Sequence, residues 1–139
     1  MDADALARRC ADRMYADDAA SQALGITITD VAAGSAIASM VVREDMVNGH
    51  GMCHGGFLFT LADTAFAFAC NTYDDVTVAA GADITFLEPV EAGARLVATA
   101  VEVARRGRSG LYDVTVRTHD GTVAAEFRGR SRSLGRPLL

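Results

Sequence analysis

The sequence predicts an α+β fold in which an antiparallel β-sheet wraps around one long central α-helix. Three observations carry that expectation. Residues 55–70, "GGFLFTLADTAFAFAC", form an apolar run of helical length with one charged member, Asp63. Six β-rich segments flank it, two before and four after. No repeat, linker or low-complexity stretch divides the 139 residues, so one domain over 1–139 is expected.

The elements follow in order. Leu6, Ala7, Cys10 and Met14 recur at helical spacing among charges, which predicts a short amphipathic helix over about 3–16. "ITITDV" and "SAIASMVVRE" read as two strands joined through a turn ending at Gly34. "DMVNGHGMCHGG" carries four glycines and reads as a loop until the central helix starts, at about 55–71. "VTVAAGADITFLEP", "ARLVATAVEVAR", "GLYDVTVRTH" and "TVAAEFRGRSRS" then read as four closely spaced strands, expected to form a consecutive antiparallel meander. The Asp120-Gly121 pair marks the last hairpin. A helix apolar nearly all round fits a sheet wrapped about it, with Ala62, Ala65 and Ala69 as a stripe for close approach.

Composition excludes several classes. The apolar run is too short and too polar at its centre to cross a bilayer. Residues 1–18 mix acids and arginines without an apolar core, so neither a secretory signal nor a membrane anchor is expected. Three cysteines without paired spacing argue against a disulfide framework and for a reducing, cytoplasmic setting. The net charge of −5 is uneven, with five arginines against fifteen acids in residues 1–104 and eight against three in 105–139. An acidic chain without aromatics among its basic residues is a poor nucleic-acid binder.

Asp63 is the residue that asks for a function. A lone carboxylate among Phe59, Phe66 and Ala67, its helix-face neighbours, must raise its pKa or find a partner, and no cation lies within one turn. It either pairs with a distant arginine or backbone amides, or serves as a base or nucleophile. The glycines ahead of the helix supply a complement. Amides at Gly55 and Gly56, uncovered by side chains and at the positive end of the helix dipole, suit a carbonyl oxygen that becomes negative during reaction. A tight turn would use the same glycines.

Geometry adds a constraint. Asp63 lies eight residues beyond Gly55, roughly 12 Å along a helix, whereas a base and an oxyanion donor must both approach one reacting group. Two antiparallel copies about a two-fold axis close that gap, so a site shared across a dimer is expected. His50, Cys53 and His54 are spaced as metal ligands would be, but Gly51 breaks the run and no fourth ligand is near, so no metal is expected. There is no G-x-S-x-G, Walker or dinucleotide motif.

"NGHGMCHGGFLFTLADTAFAFACN", "VAAGADITFLEPVEAG", "GRSGLYDVTV" and "VAAEFRGRSR" together resemble the hotdog-fold acyl-CoA thioesterases, and within them the PaaI type of phenylacetic acid degradation. The likeness runs from residue 5 to 134, with the HGG, LAD and FRG elements in order. It implies the hotdog fold, Asp63 as catalytic acid, Gly55 as backbone oxyanion donor, His54 as the preceding histidine and Asn48 as the positioning asparagine. It also implies sites built from the Asp of one subunit and the Gly amide of another. Some relatives hold the water with a hydroxyl on the strand after the helix; the equivalent here is Ala79, leaving Thr77, Thr64 or no hydroxyl for that task.

The resemblance also gives the arginines a use. Arg128, Arg130 and Arg132 alternate along a strand and point one way, with Arg105, Arg106 and Arg108 at a neighbouring turn. Arg106, Arg108, Arg128 and Arg130, with Gly56, are the expected substrate-binding residues, their cations meeting the phosphates of coenzyme A. A solvated sheet edge would carry the same charges. The expected activity is hydrolysis of aryl-acetyl-CoA, phenylacetyl- or hydroxyphenylacetyl-CoA, by a homodimer pairing into a homotetramer. No cofactor is implied beyond the coenzyme A of the substrate. The alternatives are a non-catalytic acyl-CoA binder, a thioesterase for medium-chain acyl-CoA and, last, an enoyl-CoA hydratase.

Overall fold

A computed structural model describes all 139 residues. Helix α1 (Ala3–Ala16) begins where the Asp2 carboxylate accepts the Ala5 amide proton at 2.7 Å, and it buries Ala7, Cys10 and Ala11. A second helix that the sequence pattern does not announce, α2 (Ala19–Ala23), is capped by Asp18, which accepts from both the amide and the hydroxyl of Ser21. Strands β1 (Thr27–Ala32) and β2 (Ser35–Val41) form a hairpin whose turn needs Gly34 at φ +76°.

The central helix α3 spans Gly55–Cys70. It stops one residue short of the expected end because Asn71 ties the helix to the next strand. The Asn71 amide donates to the carbonyls of Ala67 and Thr77 at 2.8 and 2.9 Å, and its oxygen accepts the Thr77 amide proton at 2.9 Å. Strands β3 (Thr77–Phe86), β4 (Arg95–Arg106), β5 (Ser109–Thr118) and β6 (Val123–Ser133) complete the chain.

All six strands join one antiparallel sheet in the order β1-β2-β4-β5-β6-β3. The expected four-strand meander is therefore corrected: only β4, β5 and β6 are consecutive neighbours, while β3 pairs with β6 at the sheet's edge. The reason lies in residues 87–94, which do not form a hairpin turn. They are stapled to the segment leading into α3, with Cys53 N–H donating to Val90 O at 2.6 Å, Val42 N–H to Ala94 O at 2.9 Å and Gly93 N–H to Val42 O at 2.7 Å. This connection carries the chain from the outer edge to a slot beside β2.

Helix α3 packs chiefly on β2, β4 and β5. Ala62, Ala65 and Ala69 are fully buried in the same core as Ala36, Ala38, Ala98 and Ala100 of the sheet, so small residues on both sides let helix and sheet approach closely. Phe66 fills the wider space beyond, against Tyr112 and Phe127. A Cβ on Gly129 would lie 2.8 Å from the Phe66 ring, which explains the glycine inside β6. Enclosure of α3 is not complete: Gly56, Phe59, Thr60, Asp63 and Ala67 form a stripe that the chain leaves partly open.

Candidate active site

The loop ahead of α3 is shaped by Asn48. Its side-chain oxygen accepts the amide protons of His50 and Met52 at 2.9 and 3.2 Å, while its backbone pairs with Met52 O and Gly51 N. The Asn48 Nδ2 group has no partner within the chain and remains available as a donor. His54 N–H donates to Met46 O at 2.8 Å, which fixes the last residue before the helix.

At the helix start the amides divide their work. His54 is the N-cap: its Nδ1 accepts the Gly56 amide proton at 3.2 Å, and its carbonyl accepts that of Phe57 at 2.9 Å. With Nδ1 accepting, the neutral ring carries its proton on Nε2. Gly55 N–H alone has no partner. Of the two glycine amides singled out from the sequence, the free donor is that of Gly55.

Asp63 is half-buried on the open stripe and makes neither a hydrogen bond nor an ion pair within the chain. Burial pushes its carboxyl above the ordinary aspartate range, with no cation to offset it. The four main cavities of the single chain are lined by none of Asn48, His54, Gly55 or Asp63. None of these cavities lies between the chemical groups that one chain carries.

The hydroxyls named from the sequence are already occupied as donors. Thr64 Oγ1 donates to Thr60 O at 2.7 Å, and Thr77 Oγ1 to Asp75 O at 2.8 Å. Ala79 is paired with Ser131 on the α3 side of the sheet. Thr60, which the sequence reading missed, stands one turn before Asp63 on the open stripe and donates to Gly56 O at 2.9 Å; its i−3 spacing was the available signal. The buried thiols are poor nucleophiles, with Cys70 pushed up to about 12 and Cys53 raised, both by burial. No cluster of three or more His, Cys, Asp or Glu side chains is placed to hold a metal ion.

The arginines separate into groups. Burial alternates along β6, so Phe127, Gly129 and Ser131 face α3 while Arg128, Arg130 and Arg132 face away from it. Arg128 is held bidentately by Asp113 at 2.6 and 2.9 Å, which keeps the Asp113 carboxyl below its ordinary range. Arg130 reaches Asp83 at 3.0 Å. Arg106, Arg130 and Arg132 line an open cleft of about 340 Å³ with Ala80, Ala104 and Leu111, and neither Arg106 nor Arg132 has a carboxylate partner. Arg105 stacks on Tyr73, and Arg108 turns toward Gly135, so both leave that cleft.

Comparison with known proteins gives a consistent picture. A family model described as the thioesterase superfamily matches residues 50–125. The acyl-coenzyme A thioesterase PaaI of Escherichia coli is 45% identical over 126 residues, 90% of this chain and 89% of that protein. A putative esterase of Archaeoglobus fulgidus is 32% identical over 89% of this chain and 80% of its own length. The solved structure of the E. coli PaaI protein from the phenylacetic acid degradation operon superposes with a TM-score of 0.96 at 41% identity, covering 98% of this chain and 99% of that one. A mutant form of the phenylacetic acid degradation protein PaaI from Thermus thermophilus superposes at 0.79 with 40% identity, over 82% of this chain and 97% of that one.

Proposed function

The chain belongs to the thioesterase superfamily and is a homologue of an acyl-CoA thioesterase, and from that premise we propose that it hydrolyses aryl-acetyl-CoA thioesters, phenylacetyl-CoA and its ring-hydroxylated relatives. Its architecture is the hotdog fold. The observation that carries the reading is Asp63, a half-buried carboxylate without a partner on the one open stripe of α3. Such a group costs stability, which a purely structural role leaves unexplained.

In the proposed reaction the thioester carbonyl oxygen lies against Gly55 N–H, which stabilises the charge that develops there. As general base, Asp63 takes a proton from water while the water oxygen bonds to the carbonyl carbon; the C–S bond then breaks, and the thiolate is protonated as it leaves. As nucleophile, Asp63 forms a mixed anhydride that water opens. Its raised pKa serves the first route directly. Asn48 shapes the loop and offers Nδ2, and His54 takes up Gly56 N–H and presents Nε2–H.

The assembly proposed is a homodimer, itself paired into a homotetramer, with each site composed of Gly55 from one subunit and Asp63 from the other. Two features support the dimer. Strand β3 is an unpaired edge ten residues long with Val78 and Phe86 exposed, a surface that invites pairing. The open stripe of α3 holds Asp63 where a partner would complete the enclosure. The cleft of Arg106, Arg130 and Arg132 supports binding of the coenzyme A phosphates; it reaches β3 at Ala80, which gives the pantetheine arm a route past the sheet edge.

The test is thiol release from a panel of aryl-acetyl, short, medium and long acyl-CoAs by the wild type and by Asp63→Ala. Turnover highest on phenylacetyl-CoA and lost in the variant is expected. Binding without release from any thioester favours a non-catalytic acyl-CoA binder and defeats the proposal.

A further inference from the structure

An oxyanion donor works by being held in place before the reaction, yet α3 begins with two glycines, the least rigid start a helix can have. Something outside the helix must supply the stiffness. The Gly56 amide is held by His54 Nδ1 at 3.2 Å. Gly55 has no side chain to pack and no partner for its N–H, so its clamp must be sought elsewhere.

It is Phe86, the last residue of β3. A Cβ built on Gly55 would lie 2.9 Å from Phe86 Cζ and 3.2 Å from Cε1, so the ring rests directly beside the Gly55 backbone. The backbone that carries the ring is held by the sheet. Phe86 is in register with the fully buried Ala125, and the next two amides, Leu87 and Glu88, both donate to Ala124 O at 2.8 and 3.3 Å. Despite this anchorage Phe86 is 51% exposed, more than its core neighbours on either side of the sheet. The exposed part of Phe86 belongs to the β3 edge proposed for pairing, while its ring tip packs on the Cβ side of Gly55, the residue that carries the free helix amide.

We propose that Phe86 is the positioning residue for the oxyanion donor: its ring fixes the Gly55 backbone and gives that amide an apolar wall, which strengthens its bond to a developing charge. Phe86 acts through Gly55 and touches neither the leaving group nor the attacking water. The inference rests on the proposed thioester hydrolysis for its kinetic consequence and on geometry alone for the clamp.

The experiment therefore has two readouts on wild type, Phe86→Ala and Phe86→Leu. The order parameter of the Gly55 amide, from NMR relaxation, tests the clamp without any substrate: a fall from about 0.85 to below about 0.6 in Phe86→Ala, largely restored in Phe86→Leu, is expected. Steady-state kinetics on phenylacetyl-CoA should show kcat lowered about 10-fold in Phe86→Ala with KM nearly constant, again recovered by leucine. Sedimentation of each variant as the wild-type oligomer separates positioning from assembly. An unchanged Gly55 order parameter overturns the proposal, as does a kcat loss that tracks dissociation of the oligomer. A lowered order parameter in a protein with no thioesterase activity upholds the clamp and defeats the proposed function instead.

Discussion

Asp63 stands eight residues beyond Gly55 on the same helix, about 12 Å along its axis, and neither lines any of the four main cavities of the single chain. One reacting carbonyl cannot touch both in one subunit. A mixture of Asp63→Ala with Gly55→Pro should therefore regain activity after subunit exchange, because a mixed dimer holds one intact pair. Proline suits the first helical position and lacks the N–H that the oxyanion needs, and its Cβ displaces the half-exposed Phe86 ring, so the substitution disables the donor in both ways. With random exchange half of the dimers are mixed and each has one working site, so about a quarter of wild-type activity is expected. Once exchange has been verified by mass, a mixture as inactive as its parents rules out the shared site.

The same carboxylate should trade stability for activity. Its pKa is raised in the folded state by burial, so the folded protein holds a proton that the unfolded chain releases first. The stabilising contribution of Asp63 is present below the unfolded value and is lost as pH rises through the folded one. Thermal melts of wild type and Asp63→Asn from pH 4 to 7 should thus diverge upward, the amide variant gaining in Tm as pH increases while losing turnover about 10²–10⁴-fold. Turnover of the wild type should fall on the acid side as Asp63 takes up its proton. A Tm gap that closes toward neutrality contradicts the assignment of an unpaired buried charge.

Much of this was legible in the chain because local chemistry wrote it there. The helix could be read at about 55–71, one residue beyond its end at Cys70, and the lone acid with its glycine start follows from residues adjacent in sequence. Strand order was not legible. The alternation that marks β3 and β4 as strands says nothing of who sits beside whom, and the exchange depends on Cys53 and Val42 bonding to the 87–94 segment, contacts between distant stretches. Phe86 escaped for the same reason, since nothing local links a strand end to Gly55. The arginine alternation set the facing direction correctly, but only the fold reveals that Asp113 and Asp83 have already engaged Arg128 and Arg130.

That division among the arginines makes a prediction about substrate binding. Arg106 and Arg132 are free of carboxylates in the outer cleft, whereas Arg128 is held by Asp113. Arg106→Ala and Arg132→Ala should each raise KM for acyl-CoA about 3- to 10-fold at low salt, and the difference from wild type should shrink as ionic strength rises. Arg128→Ala should raise it less. Thioesters of pantetheine, which lack the nucleotide phosphates, should not distinguish Arg106→Ala and Arg132→Ala from the wild type; an equal rise in KM on those substrates would mean that these arginines do not bind phosphate.

Helix α3 carries Phe59, Phe66 and Phe68, and their burial assigns these three different tasks. Phe66 and Phe68 are sealed in the core, Phe66 between Tyr112 and Phe127 and Phe68 beside Tyr15. Phe59 is half-buried one turn before Asp63, its ring edge-on to Phe127 at 5.4 Å, so one face is braced by the core while the other borders the open stripe. An acyl group attacked at Asp63 would meet Phe59 and not Phe66. Phe66→Ala should cost about 3–5 kcal/mol in denaturant unfolding, the penalty of a core cavity, and should lower activity only through lost protein. Phe59→Ala should cost less stability but change selectivity, lowering kcat/KM for phenylacetyl-CoA while raising it for longer or bulkier acyl groups. An acyl series with the wild-type order of kcat/KM in Phe59→Ala would show that the acyl pocket lies on another face of the helix.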